Sequence, residues 1–337
     1  MRNFVIAVFI LIGVVFILFN LTEVQSIIDT LQDGNLVYIF LALGLEIIYL
    51  LNVTGSYRAI YSALGLNEKS DRLFLMAASA NFVNVGAPSG GVGGLGIFIS
   101  EARRNQYSSA RVTVAGALVV LFDYLGFLSL LGLGLTVLFR RDNLNSAEIV
   151  ASILMVLLVV SWIGLLYLGM RSEKSLGRLL ARLAILVNTI LKPFIRRKYL
   201  SEKRAFVFAR DVSEGLNYIR YKPLNLILPA ILGLTSKIVL MVILAVIFLA
   251  FNVPFSTGTI VAVFSLGYLF WIISPTPSGI GFVEGALTLG LTSLQVPLGA
   301  AAVIALAYRG VTFWFPMLIG MLAIRWLFRG KSIELAV

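Results

Sequence analysis

Residues 112–139 contain one charged side chain, Asp123, and no proline. As an α-helix this stretch would be about 42 Å long, more than the roughly 30 Å hydrocarbon layer of a bilayer. Comparable apolar runs occupy 4–19, 36–52, 147–170, 224–251 and 298–328. With 59% hydrophobic residues and a mean hydropathy of +0.98, the chain has more apolar surface than a soluble domain of its length can hide. Backbone groups in lipid must be satisfied within the segment, which leaves helices as the reading for runs without strand alternation. The sequence predicts an all-α polytopic membrane protein, one membrane domain over 1–337 with six full crossings. The run 4–19 follows a single arginine and shows no small-residue cleavage site, so it reads as the first crossing, with a retained signal-anchor as the alternative.

Two further apolar regions do not fit simple crossings, which brings the apolar segments to about eight. Residues 73–85 would make a helix of only about 20 Å, and the chain then enters "GAPSGGVGGLGIFISE" (86–101), with six glycines, Pro88 and a closing Glu101. Residues 259–274 lead into "PTPSGIGFVEG" (275–285) and an apolar continuation to 296. Proline ends a helix and frees carbonyls, and glycine lets backbone or ligand come close. At membrane depth such groups are tolerated where they are buried in protein or line a water-filled cavity. Both regions are expected to be re-entrant helical hairpins, with half-helix N-termini turned toward a polar cleft suited to an anionic group. Close helix packing is the competing explanation for the glycines.

Charge placement orients the chain. Residues 171–222 hold 13 Lys and Arg against 4 Asp and Glu, a net +9, and the remainder holds 14 against 12. A basic segment between membrane spans follows the positive-inside rule and lies on anionic lipid, so nucleic-acid binding is not the expectation. The loop 171–222 and both termini are placed in the cytoplasm of a plasma-membrane protein. Basic residues (Arg58, Lys69 and Arg72 before, Arg103, Arg104 and Arg111 after) flank the first hairpin, which enters from the cytoplasm. Uncharged segments flank the second, which enters from outside.

The result is two units of one plan with opposite orientation, 36–139 and 224–328. Each is a span, a Pro-Gly break, a glutamate and a long span. Inverted repeats with broken helices near the midplane are a transporter design. The repeats also carry charges at depth: Glu46 and Asp123 in the first, Lys237 and Arg309 in the second. Each costs about 2.5–3.5 kcal/mol or more at the bilayer centre unless paired or hydrated. They are expected either to neutralise one another or to exchange a protein partner for a substrate phosphate. Having no Cys and no His excludes thiol nucleophiles, histidine bases and Cys/His metal sites, and the scattered acids form no metal cluster. "GVGGLG" (91–96) lacks the βαβ setting of a nucleotide loop, and no cofactor is expected.

"NFVNVGAPSGGVGGLGIFISEARR" (81–104), "SPTPSGIGFVEGAL" (274–287), "AYRG" (307–310) and "YRAIYSALG" (57–65) together resemble the integral-membrane region of the lysylphosphatidylglycerol synthase/flippase family and its stand-alone relatives. That resemblance implies movement of aminoacylated or other anionic phospholipid, or of a polyprenyl-phosphate-linked lipid, between leaflets. Lipid lysylation belongs to a cytoplasmic transferase domain of full-length members and is not expected of residues 1–337. By matching position it nominates Pro277, Gly279, Gly281, Glu284 and Arg309. The corresponding first-repeat candidates are Pro88, Gly91, Gly94 and Glu101, beside Asp123, Lys237 and Glu46. The expected partners are membrane lipids, with a separate lipid-modifying enzyme and self-association compatible with the plan. The alternative is a membrane enzyme or accessory subunit of a lipid-linked glycosyl transfer complex. Its loop acids Glu68, Asp71, Asp211 and Glu214 read more simply as solvated helix faces.

Overall fold

The computed structural model describes residue 25 and residues 30–85, 94–142, 144, 146–191, 202–220, 223–274 and 276–327. Among them the regular structure is helical throughout, without strands. The expected first crossing at 4–19, together with Pro88 and Gly91, lies outside the described residues.

Among the described residues five helical stretches are long and apolar enough to cross a bilayer, and the chain is a multi-pass membrane protein. Helix α1 (Leu36–Ala63) begins where the Asn35 side chain accepts from the Val37 amide at 3.0 Å. It extends eleven residues past the expected end at 52, because the chain through 57–63 continues the helix without a break. Helices α2 (Ser70–Val85) and α3 (Leu95–Arg104) form the two limbs around the first break. The long α4 (Ser109–Arg140) starts at a Ser108 cap, and α5 (Ser146–Arg171) follows it. The segment read as a basic loop is instead largely helical, forming α6 (Glu173–Leu191) and α7 (Glu202–Arg220). Apolar residues recur there at helical spacing, so the two helices pack on each other and on α4 and α5.

The second half continues from residue 223. Helix α8 (Ile227–Ala250) is followed by α9 (Thr257–Ile273), which Ser256 caps. A short 3-10 turn (Pro277–Gly279) leads to α10 (Phe282–Ser293). Helix α11 (Leu298–Arg309) then runs through a π turn (Gly310–Trp314) into α12 (Phe315–Leu327). Such π insertions widen a helix locally and recur at functional sites.

The centre of the fold is the packing of α1 and α4 on α8. Where α4 crosses α8, Gly126 and Gly233 face the opposite backbone so closely that neither helix has room for a Cβ. The broken limb of each half packs on the long helix of the other half, α2 on α12 and α9 on α4. At the rim, the apolar stretch of α5 is only 22% buried, against 61% for 298–327. Exposed Leu154, Leu157 and Val160 on α5 suit a lipid-facing surface.

Candidate functional site

The second break has an unusual backbone. Ser278, Gly279 and Gly281 have φ of 52°, 78° and 72°, three left-handed residues within four positions. Glycine adopts this conformation without strain, and a serine does so only when its surroundings hold it there. The Ser278 hydroxyl lies 3.5 Å from the Asn84 carbonyl and 3.4 Å from the Val85 carbonyl, the last carbonyls of α2. Helix C-termini leave such carbonyls without intrahelical partners, so the contact joins the second break to the edge of the first. Thr276 stiffens the turn by donating from its hydroxyl to the Ile280 carbonyl at 3.0 Å.

Arg309, at the end of α11, reaches this turn. Its Nε donates to Glu284 Oε1 at 2.5 Å, and its Nη2 donates to the Ser278 carbonyl at 3.1 Å. The guanidinium carbon sits 4.2 Å from the centre of the Phe313 ring, a cation–π contact. The other Glu284 oxygen is buried and, among the described residues, has no hydrogen-bond partner. Arg309, Ser278 and Gly279 line a cavity of about 360 Å³, together with Asn81 and Asn84 of α2 and Tyr268 of α9. The volume falls within the range of small-ligand sites.

A second charged group lies beside it. Lys237 on α8, with no exposed side-chain surface, donates to Asp123 Oδ1 at 2.5 Å and to the Tyr268 hydroxyl at 2.6 Å. The Tyr268 hydroxyl in turn donates to Asp123 Oδ2 at 2.5 Å. Asp123 keeps 26% of its side chain accessible. A closed triangle of this kind satisfies a cation that burial would otherwise penalise strongly.

The structure therefore brings Glu284 to Arg309 and Asp123 to Lys237. Gly279 lines the cavity, and Gly281 caps α10. Pro277 opens the 3-10 turn. Glu46 is different: it is fully buried on α1, and among the described residues neither carboxylate oxygen has a hydrogen-bond partner. It pairs with neither Lys237 nor Arg309. Glu101 lies apart from the cavity, where Arg72 binds it through Nη2 at 2.6 Å and Nε at 3.0 Å, and Arg104 binds it at 3.0 Å. Gly94 gives its amide to Asn84 Oδ1 at 2.5 Å. A Cβ there would meet the Ala80 carbonyl oxygen at 2.6 Å, so this glycine serves close packing of α3 on α2.

Charge and glycine patterns did not single out Asn84, Tyr268, Ser278 or Phe313. Asn84 was within a quoted motif, but one amide in an apolar helix carries little signal. Tyr268 reads as an ordinary membrane aromatic until Lys237 is placed next to it. Among the described residues no group of three or more acidic side chains gathers as a metal site.

Residues 4–320 match the family described as the lysylphosphatidylglycerol synthase TM region. A UPF0104 membrane protein of Methanothermobacter thermautotrophicus is 25% identical over 327 residues, covering 94% of each chain. Another, from Methanocaldococcus jannaschii, is 23% identical over 305 residues, covering 89% of this chain and 87% of its own. With the match running over nearly its whole length, this chain belongs to the lysylphosphatidylglycerol synthase transmembrane-region family.

Proposed function

We propose that the protein moves an anionic lipid between leaflets, with the headgroup passing through the Arg309 cavity. The observation that carries this reading is the placement of a guanidinium, braced by Glu284 and the Ser278 carbonyl, on the wall of a polar cavity inside a membrane protein. A phosphate is the natural competitor for such a group, since arginine presents planar paired donors. Entry of the headgroup would loosen Arg309 from Glu284, so that substrate and protein exchange one counter-ion. The Asp123–Lys237–Tyr268 triangle offers a second cation by the same exchange. Family membership adds a setting of membrane-lipid chemistry.

An inverted repeat, 36–139 against 224–328, supplies the movement. Its support is the reciprocal packing of α2 on α12 and α9 on α4, together with the basic segments flanking the first break and the uncharged segments flanking the second. Rocking one repeat against the other would open the cavity to each side in turn. In this scheme Glu101 positions α3 through its two arginines, and Glu46 packs behind the cavity wall.

Purified protein in liposomes, with fluorescent anionic and zwitterionic lipids and an impermeant quencher, tests the reading. Anionic lipid should exchange between leaflets faster than in empty liposomes, and Arg309→Gln should return the rate toward that background. A folded Arg309→Gln protein that moves anionic lipid at the wild-type rate would overturn it and favour the accessory-subunit alternative.

A further inference from the structure

The headgroup cavity is one end of a series of three. It shares Tyr49, Asn81 and Asn84 with a smaller cavity of about 140 Å³ between α1 and α2. That cavity shares Tyr57 with a third, of about 260 Å³, walled by α4, α5, α6 and α7. Tyr49 and Tyr57 lie about two turns apart on α1, roughly 12 Å. Chemical character changes along the way. Arg309, Ser278 and Asn84 line the first cavity, whereas Leu95, Val120, Trp162, Leu165, Leu180 and Phe208 line the last. The hydrogen-bonding side chains of Thr113 and Trp162 in the last wall are already engaged. Thr113 donates to the Ser109 carbonyl, and Trp162 Nε1 donates to the Ala117 carbonyl, each at 2.9 Å. Apart from these two and Tyr57 at the shared wall, that groove is lined by apolar side chains.

Three adjoining cavities that share wall residues, the first of mixed polar and apolar lining and the last apolar, match the layout of a single amphiphile. We propose that the protein holds one acyl chain of its substrate in the groove between α4, α5 and the α6–α7 pair while the phosphate occupies the Arg309 cavity. This deepens the transport reading and rests on it: the substrate is recognised as a glycerophospholipid with a long chain and not as a headgroup alone. Charge supports the same occupant. Helices α6 and α7, which close the groove, carry Lys174, Arg178 and Arg182 at exposed positions, and Arg210, which pairs with Glu214. Basic residues near a membrane surface concentrate anionic lipid. Transfer of a chain from bilayer to groove gains no hydrophobic energy, since both are apolar. The groove therefore selects by fit and holds the chain in register with the head.

The test links the two ends. The full chain is reconstituted in phosphatidylcholine vesicles containing a few per cent phosphatidylglycerol with a photoactivatable diazirine at mid-chain. Illumination should label peptides around residues 113–120, 162–166 and 208–212. Arg309→Gln should cut that labelling about tenfold, and Arg309→Lys should restore part of it. The same diazirine chain on phosphatidylcholine should label weakly in every variant. Ala117→Phe, which fills the groove from α4, should reduce labelling with Arg309 intact, and Leu165→Trp fills it independently if the first variant fails to fold. The proposal fails if phosphatidylglycerol labelling is unchanged in folded Arg309→Gln, or if phosphatidylcholine labels the groove equally, since the groove then takes bulk lipid. It also fails if a folded, groove-filled variant labels normally. Glycerol phosphate as a soluble competitor separates head from whole lipid: if it binds at Arg309 but chain labelling is absent, the chain site is wrong and the headgroup site stands.

Discussion

Glu101 and Glu284 each follow a Pro-Gly break on a short helix, yet they are used differently. Glu101 is 1% exposed and held by Arg72 and Arg104, whose side chains are 24% and 23% exposed. Its partners are partly exposed and belong to its own half of the chain. Among the described residues Glu284 has a single basic partner, Arg309, itself 6% exposed and on a cavity wall. The first arrangement fixes a helix end. The second leaves a cation with one carboxylate, which in the proposed transport scheme a phosphate would replace. Similar sequence patterns thus gave one carboxylate with two arginines and one with a single arginine, and the number of arginines within reach made the difference.

The largest expected effect concerns the pair that joins the halves. Asp123→Asn leaves Lys237 buried with only Tyr268 and a neutral amide. Breaking one side of a buried ion pair costs about 3–5 kcal/mol, and the accessible part of Asp123 places the effect toward the lower figure. Thermal melting in detergent should show a large drop. Lys237→Met on that background should recover much of it, because no charge is then left without a partner. Purely additive losses would mean that the two residues are not coupled.

Next in size is the effect on transport of altering the Glu284–Arg309 pair. Arg309→Gln removes charge-assisted hydrogen bonds worth about 1.5–3 kcal/mol, a tenfold to hundredfold loss of lipid flux. Arg309→Lys keeps the charge without the fork and should recover only part. Glu101→Gln should leave flux within about twofold of wild type and lower the melting temperature slightly, since its arginines can turn to solvent. If Glu101→Gln and Arg309→Gln abolish flux equally in folded protein, the contrast between the two breaks is not functional.

The broad architecture was legible because apolar length and charge placement act locally. The crossings at 112–139, 147–170, 224–251 and 298–328 differ from the helices by three residues or fewer at either end. The helical character of 171–222 was obscured by its charge, although its apolar spacing was present. At the site, Glu284, Arg309, Asp123 and Lys237 were visible because charge in a membrane helix is rare. Their pairing was not, since it depends on how α4 and α8 rotate against each other. Asn84, Ser278 and Tyr268 matter through long-range placement: Ser278 touches residues more than 190 positions away. No spacing rule reports such a contact.

The smallest effects separate the two breaks at their glycines. Gly94 has an ordinary helical φ of −65°, and its constraint is the Ala80 backbone. Gly281 has φ 72° and open space where a Cβ would sit. The two positions should therefore respond to substitution differently. At Gly281, φ 72° with ψ −36° lies outside the left-handed well that asparagine visits, so alanine and asparagine each cost about 1–2 kcal/mol through the backbone and side-chain size matters little. At Gly94, alanine overlaps Ala80 and costs about 1–3 kcal/mol by overpacking. Asparagine there is larger still and should be worse. Melting temperatures of the four single variants decide the matter, with alanine and asparagine expected to be alike at Gly281 and ranked by size at Gly94. Should asparagine be much the worse at Gly281 too, space and not backbone conformation governs the second break. If the two substitutions are alike at Gly94, that glycine is not held by the helix it touches, and the two breaks obey one rule.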